Sequence, residues 1–159
     1  MDDATVDGST EVTDPAPTTF AMAVAVKPLS SGGRRKHSRW YDQQLQAAAR
    51  ARGARVLPGP LYARIVWFQS EWEPGDVDNI AKRVLDALKG LVFRDDGEVV
   101  WCLTQKAVTS SDGFAIDASY APSDTMQTEI EALISFGQHV LYIEIGPVPD
   151  LTISLGPVR

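Results

Sequence analysis

The residues whose types and spacing could do chemistry lie in two short runs, Gly75-Asp76-Val77-Asp78-Asn79-Ile80-Ala81-Lys82 and Asp95-Asp96. Two aspartates one residue apart at a helix start both reach toward the amide groups that the first helical turn leaves unpaired. Lys82 follows Asp78 by four residues, which puts it on the same helix face one turn on, and Asp86 continues that ridge. The Asp95-Asp96 turn comes directly after the helix, so it can fold back beside the helix or its amino-terminal end. Three carboxylates held together repel one another unless a cation joins them. Mg²⁺ suits such a site, because it takes hard oxygen ligands and leaves room for water and a substrate phosphate. In phosphodiester hydrolysis the metal would activate water, and a nearby lysine would add a second positive group at the phosphate. The same residues also have a plainer reading. An Asp at a helix start can be a simple cap, and Asp-Asp-Gly a simple turn.

Two other uses of these carboxylates fail on spacing. An EF-hand needs an oxygen at the fifth loop position, where Ile80 stands, and a glycine that is absent. An Asp-x-Asp phosphatase of the haloacid-dehalogenase kind would place the motif directly after a buried strand. Here residues 70–75 intervene.

Positioning these runs requires a strand before the first, a helix between them and a strand after the second. Residues 61–68 (LYARIVWF) are rich in β-branched and aromatic side chains and read as a strand. A helix is expected over residues 77–89, with Ile80, Val84, Leu85 and Leu88 on its buried face and Gly90 as its stop. Residues 98–108 read as the strand after the turn. Upstream, residues 19–26 read as a first strand ended by Lys27-Pro28, residues 29–37 as a basic loop, and residues 38–52 as a helix closed by Gly53. Downstream, residues 122–136 suit a helix and residues 139–145 (HVLYIEI) a last strand, with a short β segment at 151–155. The order β-α-β-α-β-(α)-β gives an α+β fold with a mixed sheet. Residues 1–18 are acidic and rich in Thr and Pro, and are expected to be a disordered tail.

Length and composition agree with one domain of ordinary size: 159 residues, 44% apolar and 23% charged. No apolar run suits a membrane span or a secretory leader, and the lone Cys102 permits neither an internal disulfide nor a cysteine-rich zinc cluster. A cytoplasmic setting is expected. The net charge of −6 argues against binding nucleic acid through bulk charge, yet the charge is segregated. Eight of the 15 basic residues fall between Lys27 and Arg55, where Asp42 is the only acid. Trp67 and Trp101 are expected in the core, Cys102 as a small buried hydrophobe and His139 in a structural role. His37 suits a phosphate contact or a bystander. Trp72, in the loop before the acidic run, suits either stacking on an unpaired base or packing against a partner.

The stretch Asp76-Val77-Asp78-Asn79-Ile80-Ala81-Lys82-Arg83-Val84-Leu85-Asp86-Ala87-Leu88, followed by Asp95-Asp96-Gly97-Glu98-Val99-Val100, resembles the RusA family of Holliday-junction resolvases. Members carry an Asp-x-Asp-Asn-x-x-Lys-x-x-x-Asp-Ala-Leu helix and then an Asp-Asp pair leading into a strand. The resemblance implies a homodimeric, Mg²⁺-dependent endodeoxyribonuclease that nicks four-way DNA junctions in recombination and repair. It implies Asp76, Asp78 and Asp96 as metal-binding carboxylates and Lys82 as the catalytic cation. Asp95 is then a turn former, Asp86 a support for the helix or Lys82, and Asn79 a holder of the helix start. A RusA-like domain would occupy residues 19–146, with residues 147–159 as an extension. Beside such a site, Arg34, Arg35, Lys36, Arg39 and Arg50 gain a role as DNA-backbone contacts. Three rivals stay open: a nuclease for other branched or single-stranded DNA, a non-catalytic DNA-binding relative, and a small metal-dependent phosphohydrolase acting on nucleotides.

Overall fold

A computed structural model of the chain describes residues 19–29, 35–137 and 139–149. The expected acidic tail, Arg34 and the segment at 151–155 lie outside the described residues. The elements run β1 (Phe20–Val24), α1 (Arg35–Ala51), β2 (Leu61–Gln69), α2 (Val77–Leu88), β3 (Val99–Val108), α3 (Met126–Phe136) and β4 (His139–Pro147). A single 3-10 turn, Asp96–Glu98, leads into β3. This is the expected α+β order, built on one mixed sheet with strand order β1-β4-β2-β3. β4 pairs antiparallel with both β1 and β2, while β3 runs parallel to β2. Among the described residues β1 and β3 are therefore the sheet edges.

Alternation along β2 sends side chains to two separate cores. Leu61, Ala63, Ile65 and Trp67 join Tyr41 and Leu45 of α1 and Ile80, Val84 and Leu88 of α2 on one face. Val66 and Phe68 join Met126 and Ile130 of α3, with Val140 and Tyr142, on the other. β4, flanked by strands on both sides, is buried along nearly its whole length. Its Glu144 is buried too, and is satisfied by the hydroxyls of Tyr62 and Tyr142. Losing water and facing that carboxylate push the Tyr62 phenol up to about 12.

Three expectations need correction. The first helix begins at Arg35, so Arg35, Lys36 and His37 belong to its first turn and not to a loop. Trp101 is 46% exposed and Cys102 is exposed as well, so neither is core. The reason for both is the same: among the described residues β3 is an edge strand, with a neighbour on one side only. Among the described residues, no helix is long and apolar enough to cross a membrane.

The face of α2 carries the acidic run into place, so its packing can be tested alone. Ile80→Ala, at a side chain 2% exposed, should cost about 2–5 kcal/mol in urea unfolding. Val100→Ser, at an exposed edge position, should cost the monomer less than about 0.5 kcal/mol.

Candidate active site

Asp76, Asp78 and Lys82 take their places from the start of α2. Asp76 is the residue before the helix, in extended conformation, and its main-chain oxygen accepts from Ile80 N at 3.1 Å. Its carboxylate makes no capping bond to the helix backbone; Oδ2 instead accepts from the Asn79 side-chain amide at 3.3 Å. Asp78 Oδ1 accepts from Asn79 N at 2.9 Å. Both carboxylates are exposed, and Asn79 does hold the helix start as expected. Lys82 is exposed one turn on and makes no ion pair or hydrogen bond among the described residues. One oxygen of Asp78 is thus engaged with a first-turn backbone amide, while the Asp76 carboxylate makes no bond to the helix backbone.

The loop before Asp76 is held by an unanticipated lysine. Lys106 Nζ, from β3, donates to Glu73 O at 2.7 Å and to Gly75 O at 3.1 Å. The same ammonium lies over the Trp72 ring, 3.8 Å from its centroid, and 5.6 Å from that of Trp67. A cation over an indole face is attracted by the ring quadrupole. Gly75, at φ +149°, packs so closely on Trp67 that a Cβ there would stand 3.3 Å from the ring. That approach, and the positive φ, require glycine. Sequence reading had no signal for Lys106, because its tie to the loop depends on the parallel pairing of β3 with β2, which brings Lys106 level with Trp67.

Behind the loop, Trp67 Nε1 donates to His139 Nδ1 at 3.3 Å, and His139 Nε2 lies 3.2 Å from Glu73 Oε1. Glu73 also pairs with Lys27. Lys27 is the first cause holding the Glu73 carboxyl below its ordinary range. Glu73 is therefore neutralised within the loop, while Glu71 stands exposed. The indole donor requires an unprotonated Nδ1, so His139 is the neutral tautomer with its proton on Nε2, donating to Glu73. Burial is the main cause lowering the His139 pKa, partly offset by Glu73.

Asp95 and Asp96 sit elsewhere. Asp95 is the turn former that was expected: its Oδ1 accepts from Gly97 N at 3.1 Å, which holds its carboxyl low, with Lys89 helping. Lys89 Nζ lies 2.9 Å from Asp95 Oδ2 and 3.6 Å from Asp96 Oδ1. Both contacts are at the carboxyl end of α2, so the turn does not fold back to the helix start. β2 and β3 are parallel, which puts the beginning of α2 at one end of the sheet and the beginning of β3 at the other. A 12-residue helix separates them, about 18 Å at ~1.5 Å per residue. Among the described residues no group of three metal-ligating side chains is close enough to share an ion. Asp76, Asp78 and Asp96 of one chain do not fit one metal ion.

The basic residues are likewise divided. Arg83 Nη1 donates to Ser38 Oγ at 2.5 Å and Gln46 Nε2 donates to Ala87 O at 3.2 Å, so α1 and α2 run in the same direction. Arg39, exposed near the start of α1, is on the side of Asp76 and Asp78; Arg50, exposed in its last turn, is at the far end. The backbones of Arg35 and Lys36 lie on the Arg39 side.

The indole–imidazole–carboxylate chain predicts a pH effect. A His whose folded pKa lies below its ordinary value of about 6.5 leaves the unfolded chain binding more protons, so stability falls as pH drops below ~6.5. Unfolding titrations between about pH 7 and pH 5 should show that decline, and His139→Gln should flatten it.

A family model described as endodeoxyribonuclease RusA matches residues 34–117, more than half of the chain. No curated protein matches it. The matched segment contains α1, β2, α2 and β3, and with them Asp76, Asp78, Lys82 and Asp96. The chain belongs to the RusA family of endodeoxyribonucleases.

Proposed function

We propose that this protein is a homodimeric, Mg²⁺-dependent endodeoxyribonuclease that nicks four-way DNA junctions in recombination and repair, in the cytoplasm. The family supports junction-directed nuclease activity. The observation that carries the reading to particular residues is the start of α2. Two exposed carboxylates stand there two residues apart, Asp76 free of any capping bond and Asp78 bound to the backbone through one oxygen only, with an exposed lysine one turn on.

In this reading Asp76 and Asp78 are metal-binding carboxylates and Asp96 is the third. Lys82 is the cation that stabilises charge developing on the scissile phosphate. An ammonium aimed at such an oxygen acts where the charge grows. Asn79 is a positioning residue, since its amide bonds hold both aspartates. The exposed Arg39, with Arg35 and Lys36 in the same first turns of α1, is assigned to the phosphate backbone on the side of Asp76 and Asp78, and Arg34 to the same DNA backbone from its place in the sequence. Arg50 would meet a more distant stretch of the same DNA, which a branched substrate with several arms provides. Phosphate contacts of this kind make binding fall with added salt.

The test is nicking of a labelled four-way junction beside a linear duplex. Wild-type protein should nick the junction in Mg²⁺ and not in EDTA. Asp78→Asn should lower the rate by at least about a hundredfold while junction affinity stays within a few-fold. Arg39→Ala should weaken binding and reduce the slope of log affinity against log salt by about one. Junction binding by wild-type protein without any nicking would mark a non-catalytic relative. Unchanged cutting by Asp78→Asn would remove the acidic pair from the active site.

A further inference from the structure

Trp72 is the large apolar side chain of the loop that leads into the acidic pair, and it is 69% exposed, four residues before Asp76. We propose that Trp72 is a stacking platform: its outer ring face takes a DNA base left unpaired at the branch point, beside the phosphate presented to Asp76 and Asp78. This inference rests on the nuclease reading above and deepens it, by naming what lets that site tell a junction from a linear duplex.

Three observations support it. First, the ring is held in place. Lys106 Nζ lies 3.8 Å from its centroid, and that ammonium is itself fixed by its bonds to Glu73 O and Gly75 O. Glu73 N donates to Gln69 Oε1 at 3.1 Å, so the residue after the tryptophan is anchored to the last residue of β2. A ring ordered before the ligand arrives loses less freedom on binding. Second, the ammonium covers one ring face and leaves the other to solvent, which is the geometry that stacking needs. Third, the charge of the loop selects a base over a phosphate. Lys106 is turned to loop carbonyls and Lys27 to Glu73, while Glu71 stands exposed. A carboxylate repels a phosphate, whereas an indole face accepts a neutral base. The phosphates are left to the exposed cations of the helices, Arg39 and Lys82.

Position turns this stacking into selectivity. One ammonium, that of Lys106, touches both the ring and the residue before Asp76, so a base on the ring lies close to a phosphate held at the pair. In a linear duplex each base is paired and covered by its neighbours, and freeing one breaks both contacts. At a branch point the stack is already interrupted, so the penalty is smaller. A platform beside the scissile phosphate therefore favours the branch over the duplex. It does so without reading sequence, since every base has a π-face.

The test uses full-length protein in EDTA, so that binding is read without nicking. The probe is a four-way junction carrying 5-iodouracil at the branch point, beside the same junction with the label inside an arm. Irradiation joins such a base to an aromatic ring stacked on it. The branch-point label should cross-link, the arm label should not, and peptide mapping should place the link on Trp72. Trp72→Ala should lose the link and bind an unlabelled junction about tenfold more weakly, while its affinity for linear duplex changes by less than about twofold. Trp72→Phe, which keeps a ring, should recover most of that loss. Equal weakening on junction and duplex, or none on either, would overturn the platform. So would a shift of Trp72→Ala towards monomers in sedimentation, which would make the indole a contact between copies. Nicking in Mg²⁺ is measured separately. Wild-type protein that cross-links through Trp72 but nicks no DNA would remove the nuclease reading and leave the platform standing. Wild-type protein that nicks the junction without a link at Trp72 would overturn the platform alone.

Discussion

The parallel pairing of β2 with β3 is the constraint on which the rest depends. Two parallel neighbours cannot be joined by a hairpin; the chain must return along the sheet, and here α2 makes that return. The return fixes where every chemically interesting residue lies. The helix start, with Asp76 and Asp78, lies at the carboxyl end of both strands. The turn with Asp95 and Asp96 lies at the other. Burial of Ile80, Val84 and Leu88 against the sheet then locks the helix in rotation, so that Lys82 faces solvent one turn from the pair.

Around the helix start, the structure uses charge to hold the loop backbone rather than to face the solvent with it. Lys106 binds two loop carbonyls beneath the Trp72 ring, and Glu73 is shared between Lys27 and His139. His139 in turn takes the indole proton of Trp67, whose ring supports Gly75. The acidic pair is thus the end of a connected set of contacts that begins in the core. Such support is what a metal-binding carboxylate pair requires, since ligands must be held before the ion arrives.

Much of this was legible in the sequence. The β-branched run of β2, the 3.6-residue spacing of Ile80, Val84 and Leu88, and the Asp-x-Asp-Asn-x-x-Lys helix are local patterns, and local patterns survive into the fold. What was not legible depends on strand order. Trp101 and Cys102 stand in an apolar strand, yet they are exposed because β3 ends the sheet. The tie from Lys106 to Gly75 and the distance from Asp96 to Asp76 follow from strand direction, which no local pattern encodes. The turn after α2 could have folded either way until β3 was known to run parallel to β2. The start of α1 was also misplaced, because three basic residues in a first helical turn oppose the helix dipole and read as a loop.

An acidic pair at one end, a third carboxylate at the other and an open edge between them make the metal site the sharpest point at which the account can fail. The most direct measurement is a crystal structure of the protein soaked in Mn²⁺, with the ion located by its anomalous scattering. Mn²⁺ should lie at the start of α2, held by Asp76 and Asp78. Mn²⁺ bound away from the start of α2 would contradict this reading.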